Sequence, residues 1–264
     1  MMFGKLLGVV LGWLAAGPLG ALLGLVIGHF FDRGLRAVRD LDSPEARATA
    51  KEAFFETVFT VMGRLAKADG RVSEAEIAHA ERMMANLGLN AEHRRAAIEL
   101  FKRGAGADFA VEAQLETFLR AVVRQPLLKP LLLEYLITAA TADGVLHDAE
   151  RELLLQVAGA LGFDPVQFQR LLSMFDAQRQ FHRETPERPA AGDRLAAAYQ
   201  ALGVAPTASD REVKTAYRRL MSQHHPDRLI AQGVPEDMIK LATEKSQEIQ
   251  AAYDLIQRER AGGG

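Results

Sequence analysis

The sequence contains no cysteine among its 264 residues, and this absence excludes several classes of protein. A disulfide scaffold, a thiolate metal site and a cysteine nucleophile all need the missing side chain. The chain also lacks an excess of either charge, because 32 Lys and Arg stand against 34 Asp and Glu, for a formal net charge of −2. A net charge near zero argues against a general polyanion binder, so we predict no nucleic-acid partner.

Motifs for catalysis and for cofactor binding are missing as well. The histidines show no HExxH spacing, and no GxxxxGK[ST] phosphate loop occurs. His225 and Asp227 would suit acid–base chemistry, but no serine, cysteine or metal cluster accompanies them in the sequence. We therefore expect no enzyme activity and no bound cofactor.

Charge is distributed unevenly along the chain. Residues 1–31 carry one formal charge, and 26 uncharged residues separate Lys5 from Asp32. As a helix this stretch rises ~39 Å, more than the ~30 Å of a bilayer's hydrocarbon layer. A cleaved signal peptide would have a more basic start and a shorter apolar core. We predict a transmembrane anchor at residues 1–31 and a juxtamembrane segment at residues 32–49.

The residues that flank the predicted anchor indicate its orientation. Only Lys5 precedes the span, whereas Arg33, Arg36 and Arg39 follow it closely. Positive residues stay on the cytoplasmic side of a membrane, so we predict an outward amino terminus and a cytoplasmic bulk.

Small residues recur at every fourth position of the predicted anchor. This spacing places them on one stripe of a helix, where a second backbone can approach closely. We predict that the stripe mediates homodimerisation in the membrane, with another membrane protein as the alternative partner. The stripe consists of Gly4, Gly8, Gly12, Ala16, Gly20, Gly24 and Gly28.

The middle of the chain, residues 50–177, has apolar residues at helical spacing and an internal repeat. The sequence Ala-Asp-Gly at residues 68–70 recurs 74 residues later at residues 142–144, and Leu-Gly at 87–88 recurs at 161–162. Phe101 and Phe175 have the same separation. A repeat of this kind predicts two similar helical hairpins, and the whole chain is predicted to be all-α.

Each Ala-Asp-Gly segment is typical of a turn between helices. Asp-Gly ends one helix, and Ser73 or Asp148 would cap the next. A divalent-cation site is the alternative, but neither copy has the alternating ligands of an EF-hand loop, and we favour the turn. The candidate ligands are Asp69, Glu76, Asp143 and Glu150. The region resembles the tellurite-resistance TerB-type helical domain, which implies a helical module with a sensing or docking role.

Residues 178–192 are polar, contain two prolines, and are predicted to form a linker. After them, residues 193–264 show a short amphipathic helix that ends at Gly203 and a second helix that Ser209 caps and Pro226 ends. A looser stretch precedes a third helix, which begins at about Glu236. One face of the second helix is basic, with Arg211, Lys214, Arg218 and Arg219.

The carboxy-terminal pattern resembles the J domain of DnaJ-type co-chaperones. The resemblance rests on the order and spacing of residues 199–204, 213–220, 224–228 and 248–253, with His225-Pro226-Asp227 between two long helices. It implies docking onto a DnaK-class ATPase, whose ATP hydrolysis the J domain speeds. The implied contact residues are His225, Pro226, Asp227, Lys214, Tyr217, Arg218 and Arg219. Ser246 replaces an aromatic residue that J domains commonly carry, which predicts altered local packing.

The whole chain resembles the DjlA family, membrane-anchored DnaJ-like proteins of Gram-negative bacteria. The resemblance implies an inner-membrane homodimer with a periplasmic amino terminus, acting as a regulatory co-chaperone of DnaK. It also implies a link to envelope signalling and capsular (colanic acid) polysaccharide synthesis. The alternative is a membrane adaptor or sensor, in which the TerB-like domain binds a ligand, metal or protein and the J domain recruits DnaK.

Overall fold

The computed structural model describes residues 43–68, 84, 88–141, 146–182 and 191–262, and within these ranges every regular element is a helix. The predicted all-α class is therefore confirmed. The helices are α1 (Pro44–Ala66), α2 (Ala91–Gly104), α3 (Val111–Ala121), α4 (Leu128–Ala140), α5 (Asp148–Leu161), α6 (Pro165–His182), α7 (Ala191–Ala201), α8 (Asp210–Gln223), α9 (Pro226–Gln232) and α10 (Ile239–Gly262), with a 3₁₀ turn at Glu236–Met238.

The chain divides into two units, Met1–Thr49 and Ala50–Gly264. In the first unit the structure describes residues 43–49, where the Ser43 hydroxyl accepts a hydrogen bond from the Ala46 N–H at 3.2 Å and starts α1. The predicted transmembrane anchor, with its stripe of small residues, lies outside the described residues. Among the helices that are described, none has the length and apolar character needed to span a membrane.

The internal repeat of the sequence is also a repeat of structure. Helix α4 ends 74 residues after α1 ends, and α6 begins 74 residues after α2 begins. Gly88 and Gly162 both adopt left-handed backbone, with φ of 89° and 94°. Asn90 caps α2 by accepting two backbone N–H groups, and Asp164 accepts the Gln167 N–H at the start of α6. Helices α1 and α2 thus correspond to α4 and α6.

The start of α5 differs by one residue from the prediction. Asp148 is the first residue of the helix rather than its cap, because His147 holds the extended backbone of an N-cap residue. The His147 N–H donates to the Glu150 carboxylate at 3.0 Å, so the glutamate supports the helix start. Ser73, the corresponding predicted cap in the first copy, lies outside the described residues.

Helices α1 to α6 enclose an apolar core with aromatic residues at its centre. The ring of Phe54 meets that of Tyr135 edge-to-face, with 5.7 Å between their centroids, and lies 6.5 Å from that of Phe118. Helices α1 and α2 approach closely at two glycines: Gly63 faces the backbone of Phe101, and Gly104 faces the backbone of Thr60.

A second core joins α7, α8 and α10. Asp210 pairs with Arg260, and the Ser246 hydroxyl donates to the His224 carbonyl at 3.3 Å, so α8 and α10 run antiparallel. The Arg260 guanidinium also donates to the Tyr199 hydroxyl at 2.8 Å and to the Ala208 carbonyl at 2.6 Å. One side chain therefore ties the end of α10 to α7 and to the start of α8.

The core of the middle region continues into the carboxy-terminal helices. Helix α6 extends to His182 and α7 begins at Ala191, so helices occupy both ends of the segment predicted as a linker. Residues of α9, of the segment after it, of the 3₁₀ turn and of the start of α10 lie in the same apolar cluster as α1 to α6. They are Leu229, Val234, Met238, Ile239, Leu241 and Ala242.

Candidate functional site

The His-Pro-Asp motif forms the start of helix α9. Pro226 is the first residue of the helix, where a missing N–H costs nothing and the fixed φ suits helical backbone. His225 precedes it as the N-cap, and its Nδ1 accepts the Asp227 N–H at 3.2 Å. The sequence predicts a looser stretch after the motif. The structure instead has a short regular helix, which begins after the His225 cap and ends at Gly233, where φ is 101°.

The His-Pro-Asp motif, which we also call the His-Pro-Asp loop, exposes polar groups to solvent. His225 and Asp227 are exposed, and Pro226 is half-buried. Because Nδ1 of His225 accepts a hydrogen bond, a neutral ring carries its proton on Nε2. The motif thus offers a partner one N–H donor and one carboxylate at the tip of the loop.

Helix α8, which leads into the motif, presents a basic face. Val213, Ala216 and Leu220 are buried on its other side. The helix begins with a capping box in which the Ser209 Oγ accepts the Glu212 N–H and Glu212 accepts the Ser209 N–H at 2.7 Å. Its exposed cations are Arg211, Lys214, Arg218 and Arg219. None of them forms an ion pair with another residue that the structure describes.

Tyr217 and Ser246 hold the two long helices together. The Tyr217 ring is half-buried and stacks on Tyr253, with 4.2 Å between their centroids. Its hydroxyl donates to the Gln250 side chain at 2.5 Å, so this proposed contact residue already has an internal partner. Ser246 forms its hydrogen bond to the loop at His224, in place of the packing of an aromatic ring.

A buried pair beside the motif was missed by sequence reasoning. The His224 Nδ1 donates to the Leu220 carbonyl at 2.9 Å, and Nε2 lies 3.0 Å from Oε2 of Glu134 in α4. Burial lowers the pKa of His224, but the adjacent carboxylate outweighs it and holds the pKa above its usual value. Burial raises the pKa of Glu134, and the imidazolium outweighs it in the opposite direction. Ninety positions separate the two residues in sequence. The one signal was a lone carboxylate in an apolar stretch of α4, since such a residue needs a partner.

Further contacts join α1 to α6 with the carboxy-terminal helices. The His93 Nδ1 lies 2.6 Å from the Asp237 carboxylate, and the Tyr135 hydroxyl donates to the Met238 carbonyl. The Lys245 ammonium lies 5.1 Å from the centre of the Phe175 ring. Polar contacts of this kind fix a relative orientation, because a buried polar group must keep its partner.

Of the four carboxylates of the alternative cation site, the structure describes one. Asp69, Glu76 and Asp143 lie outside the described residues, and Glu150 supports the start of α5. Nowhere in the described part of the chain do three or more His, Cys, Asp or Glu residues gather as metal ligands would.

Three protein-family models match the chain, in the predicted order. The DjlA transmembrane domain matches residues 1–38, the tellurite resistance protein TerB matches residues 55–173, and the DnaJ domain matches residues 197–261. No solved structure matches the chain.

Relatives match along the whole chain. The co-chaperone protein DjlA of Yersinia pestis is 41% identical over 272 residues, which cover 98% of this chain and 98% of that protein. DjlA of Coxiella burnetii is 41% identical over 266 residues, with the same coverage, and DjlA of Vibrio cholerae is 39% identical over 279 residues. The chain therefore belongs to the DjlA co-chaperone family.

Proposed function

We propose that the chain stimulates the ATPase of a DnaK-class chaperone through the His-Pro-Asp loop and the basic face of α8. The observation that carries the proposal is the exposure of the motif directly after an exposed row of cations. The matching J-domain model supports the same partner class. ATP hydrolysis belongs to the partner in this scheme, and the chain acts as its regulator.

The residues suit recognition of an acidic surface. Lys214, Arg218 and Arg219 would steer and orient an acidic partner, because opposite charges raise association rates and suppress wrong orientations. His225 would donate its Nε2–H and Asp227 would accept a hydrogen bond at the end of the interface. Pro226 holds the backbone of the loop in place.

The test is single-turnover ATP hydrolysis by a DnaK-class chaperone with the full chain in lipid nanodiscs. We expect H225Q to abolish stimulation. H225N is the matched variant, because asparagine is a favoured N-cap and keeps the acceptor for the Asp227 N–H, but lacks the imidazole Nε2–H. Loss in both variants with unchanged thermal unfolding would support direct contact by His225. Full stimulation by both variants would contradict the mechanism.

We further propose that residues 1–31 anchor the chain in the inner membrane with a periplasmic amino terminus and that they dimerise. The match to the DjlA transmembrane domain supports the anchor, and the arginines that follow the span support the orientation. Because the chain lacks cysteine, a single cysteine introduced near either terminus can be labelled with an impermeant maleimide. Labelling in intact spheroplasts is expected at the amino-terminal site alone.

Dimerisation is tested by disulfide crosslinking of a single cysteine in the anchor. Replacement of Gly8, Gly12, Gly20 and Gly24 by leucine should reduce crosslinking, because larger side chains would separate the two backbones. Replacement of four leucines on another face by alanine is the control. Equal crosslinking in both variants would mean that the stripe serves a purpose other than dimerisation.

The family resemblance also leads us to propose a role in envelope signalling and capsular (colanic acid) polysaccharide synthesis. A strain that lacks the chain, complemented with wild type or with H225N, tests this role. Capsular polysaccharide should depend on the wild-type chain and not be restored by H225N. Equal polysaccharide in all strains would contradict the proposal.

A further inference from the structure

His224, the residue immediately before the His-Pro-Asp motif, is fixed through its side chain and its backbone. His224 is 8% exposed, its ring contacts Leu220 and Glu134, and its backbone carbonyl accepts the Ser246 hydroxyl. Its N–H donates to the Leu220 carbonyl at 3.1 Å. The backbone at the entrance to the loop therefore has little freedom.

The chain is also fixed after the motif, at Leu229. Leu229, two residues after Asp227, is 1% exposed and lies in the core that α1 to α6 form. The exposed motif thus spans the short distance between two buried points, His224 and Leu229. Of these two anchors, the first depends on a polar side chain of the TerB-like domain.

The contact between Glu134 and His224 requires both partners. Nδ1 faces a carbonyl, which only accepts, so it carries a hydrogen. Nε2 faces a carboxylate, and a bond there needs one shared proton whichever atom holds it. The charged group that also acts on this pair is Lys245 of α10, which itself bonds to Glu248 at 2.9 Å. Removal of either side chain leaves the other buried polar group without this hydrogen-bond partner.

The TerB-like domain holds the loop from its buried side and leaves the docking face open. Lys214, Arg218, Arg219, His225 and Asp227 are all exposed in this arrangement. The contact therefore does not block the docking face.

We propose that Glu134 of the TerB-like domain is a positioning residue for the His-Pro-Asp loop, acting through His224. The TerB-like domain then contributes directly to the geometry of the chaperone-docking site. This inference rests on the proposed function, since it assigns Glu134 to the same site.

The test compares full-chain variants in ATPase stimulation, by titration against the DnaK-class chaperone. E134A should lower maximal stimulation by about tenfold, since a small misplacement of groups that act on a reaction is costly even when it arises far from the reacting atoms. The half-saturating concentration should change less, because the basic face of α8 is intact. E134Q should stay within about twofold of wild type, because its amide can bond to either protonation state of the ring. E56A is the control, since it removes another carboxylate of the TerB-like domain, one that pairs with Arg103.

Two further variants separate positioning from stability. The double variant E134A/H224A should be no worse than E134A, because residues that act through one contact are not additive. E134L/H224L replaces the whole pair by apolar side chains and should fold even if E134A does not. It should still lose stimulation. Additive losses, or full stimulation by E134L/H224L, would overturn the proposal.

Hydrogen exchange at the backbone amides of His225, Asp227 and Arg228 in the absence of chaperone tests the anchor independently of the proposed function. Exchange should be faster in E134A and E134L/H224L than in wild type and E56A. If the wild-type chain fails to stimulate, the proposed function fails, and this measurement still decides whether Glu134 holds the loop. Equal exchange in all four chains would overturn the positioning role.

Discussion

Gly104 of α2 lies against Thr60 of α1 so closely that no side chain fits between them. A Cβ at residue 104 would overlap the Thr60 carbonyl oxygen and lie 2.8 Å from its Cα. Gly63 is in the same position relative to Phe101, where a Cβ would lie 2.8 Å from the carbonyl carbon. The neighbours in both cases are backbone atoms, which cannot move aside alone.

G104A should lower the free energy of unfolding by about 3 kcal/mol, because the two helices must separate to accept the methyl group. Urea unfolding followed by circular dichroism measures this. G159A is the matched control in α5, where a Cβ meets nothing within 4 Å. It should stabilise the chain by ~1 kcal/mol through helix propensity. Equal effects of the two substitutions would contradict the close approach of α1 and α2.

The Glu134–His224 pair predicts a particular pH dependence of stability. The folded pKa of Glu134 lies below its usual 4.5, so its contribution is present above that value and is lost as pH falls through the lowered pKa. The folded pKa of His224 lies above its usual 6.5, so its contribution is complete below that value and is lost as pH rises through the raised pKa.

Both contributions are therefore complete between pH 4.5 and 6.5. The difference in unfolding free energy between wild type and E134L/H224L should shift most in favour of wild type in this window. Urea titrations from about pH 4 to pH 9 measure it. E56A keeps the pair, so the difference between wild type and E56A should not follow this window. A difference between wild type and E134L/H224L that stays flat across the range would contradict the ionised pair.

Arg260 should be more important to the J domain than its exposed neighbours. R260A removes the bonds to Tyr199, Asp210 and Ala208 together, so we expect a loss of about 2 kcal/mol in unfolding free energy. R258A is the control: among the residues that the structure describes, its guanidinium bonds only to the Asp254 carbonyl of its own helix, and the change should be below about 0.5 kcal/mol. Equal losses of unfolding free energy in R260A and R258A would show that removal of a positive charge, rather than of these bonds, causes the effect.

The basic face of α8 should govern association with the chaperone. K214E/R218E should raise the half-saturating concentration for ATPase stimulation by about tenfold at low salt, and the defect should shrink as salt screens the charges. R94E/R95E on α2 carries the same change in net charge at exposed positions of the TerB-like domain. If the control variant is equally defective, net charge rather than the α8 face controls binding.

Local chemistry made much of this fold predictable. Ser209 with Glu212 marks the start of α8. The two left-handed glycines, at residues 88 and 162, belong to the internal repeat of the amino-acid sequence. The pairing of Glu134 with His224 could not be predicted from the sequence, because it depends on how α4 packs against the end of α8, 90 residues away along the chain. Helix α9 was missed for a different reason: the cap that starts it is a histidine, which is uncommon in that role.

The shared core has a consequence for synthesis of the protein. Translation delivers α1 to α6 before Met238 and Ile239, which help to fill their core, have left the ribosome. Until then, apolar surface of the TerB-like domain stays open to water and the Tyr135 hydroxyl lacks the carbonyl that accepts its hydrogen bond. A nascent chain of this family member thus displays the kind of exposed surface on which chaperones act until the 3₁₀ turn and α10 cover it.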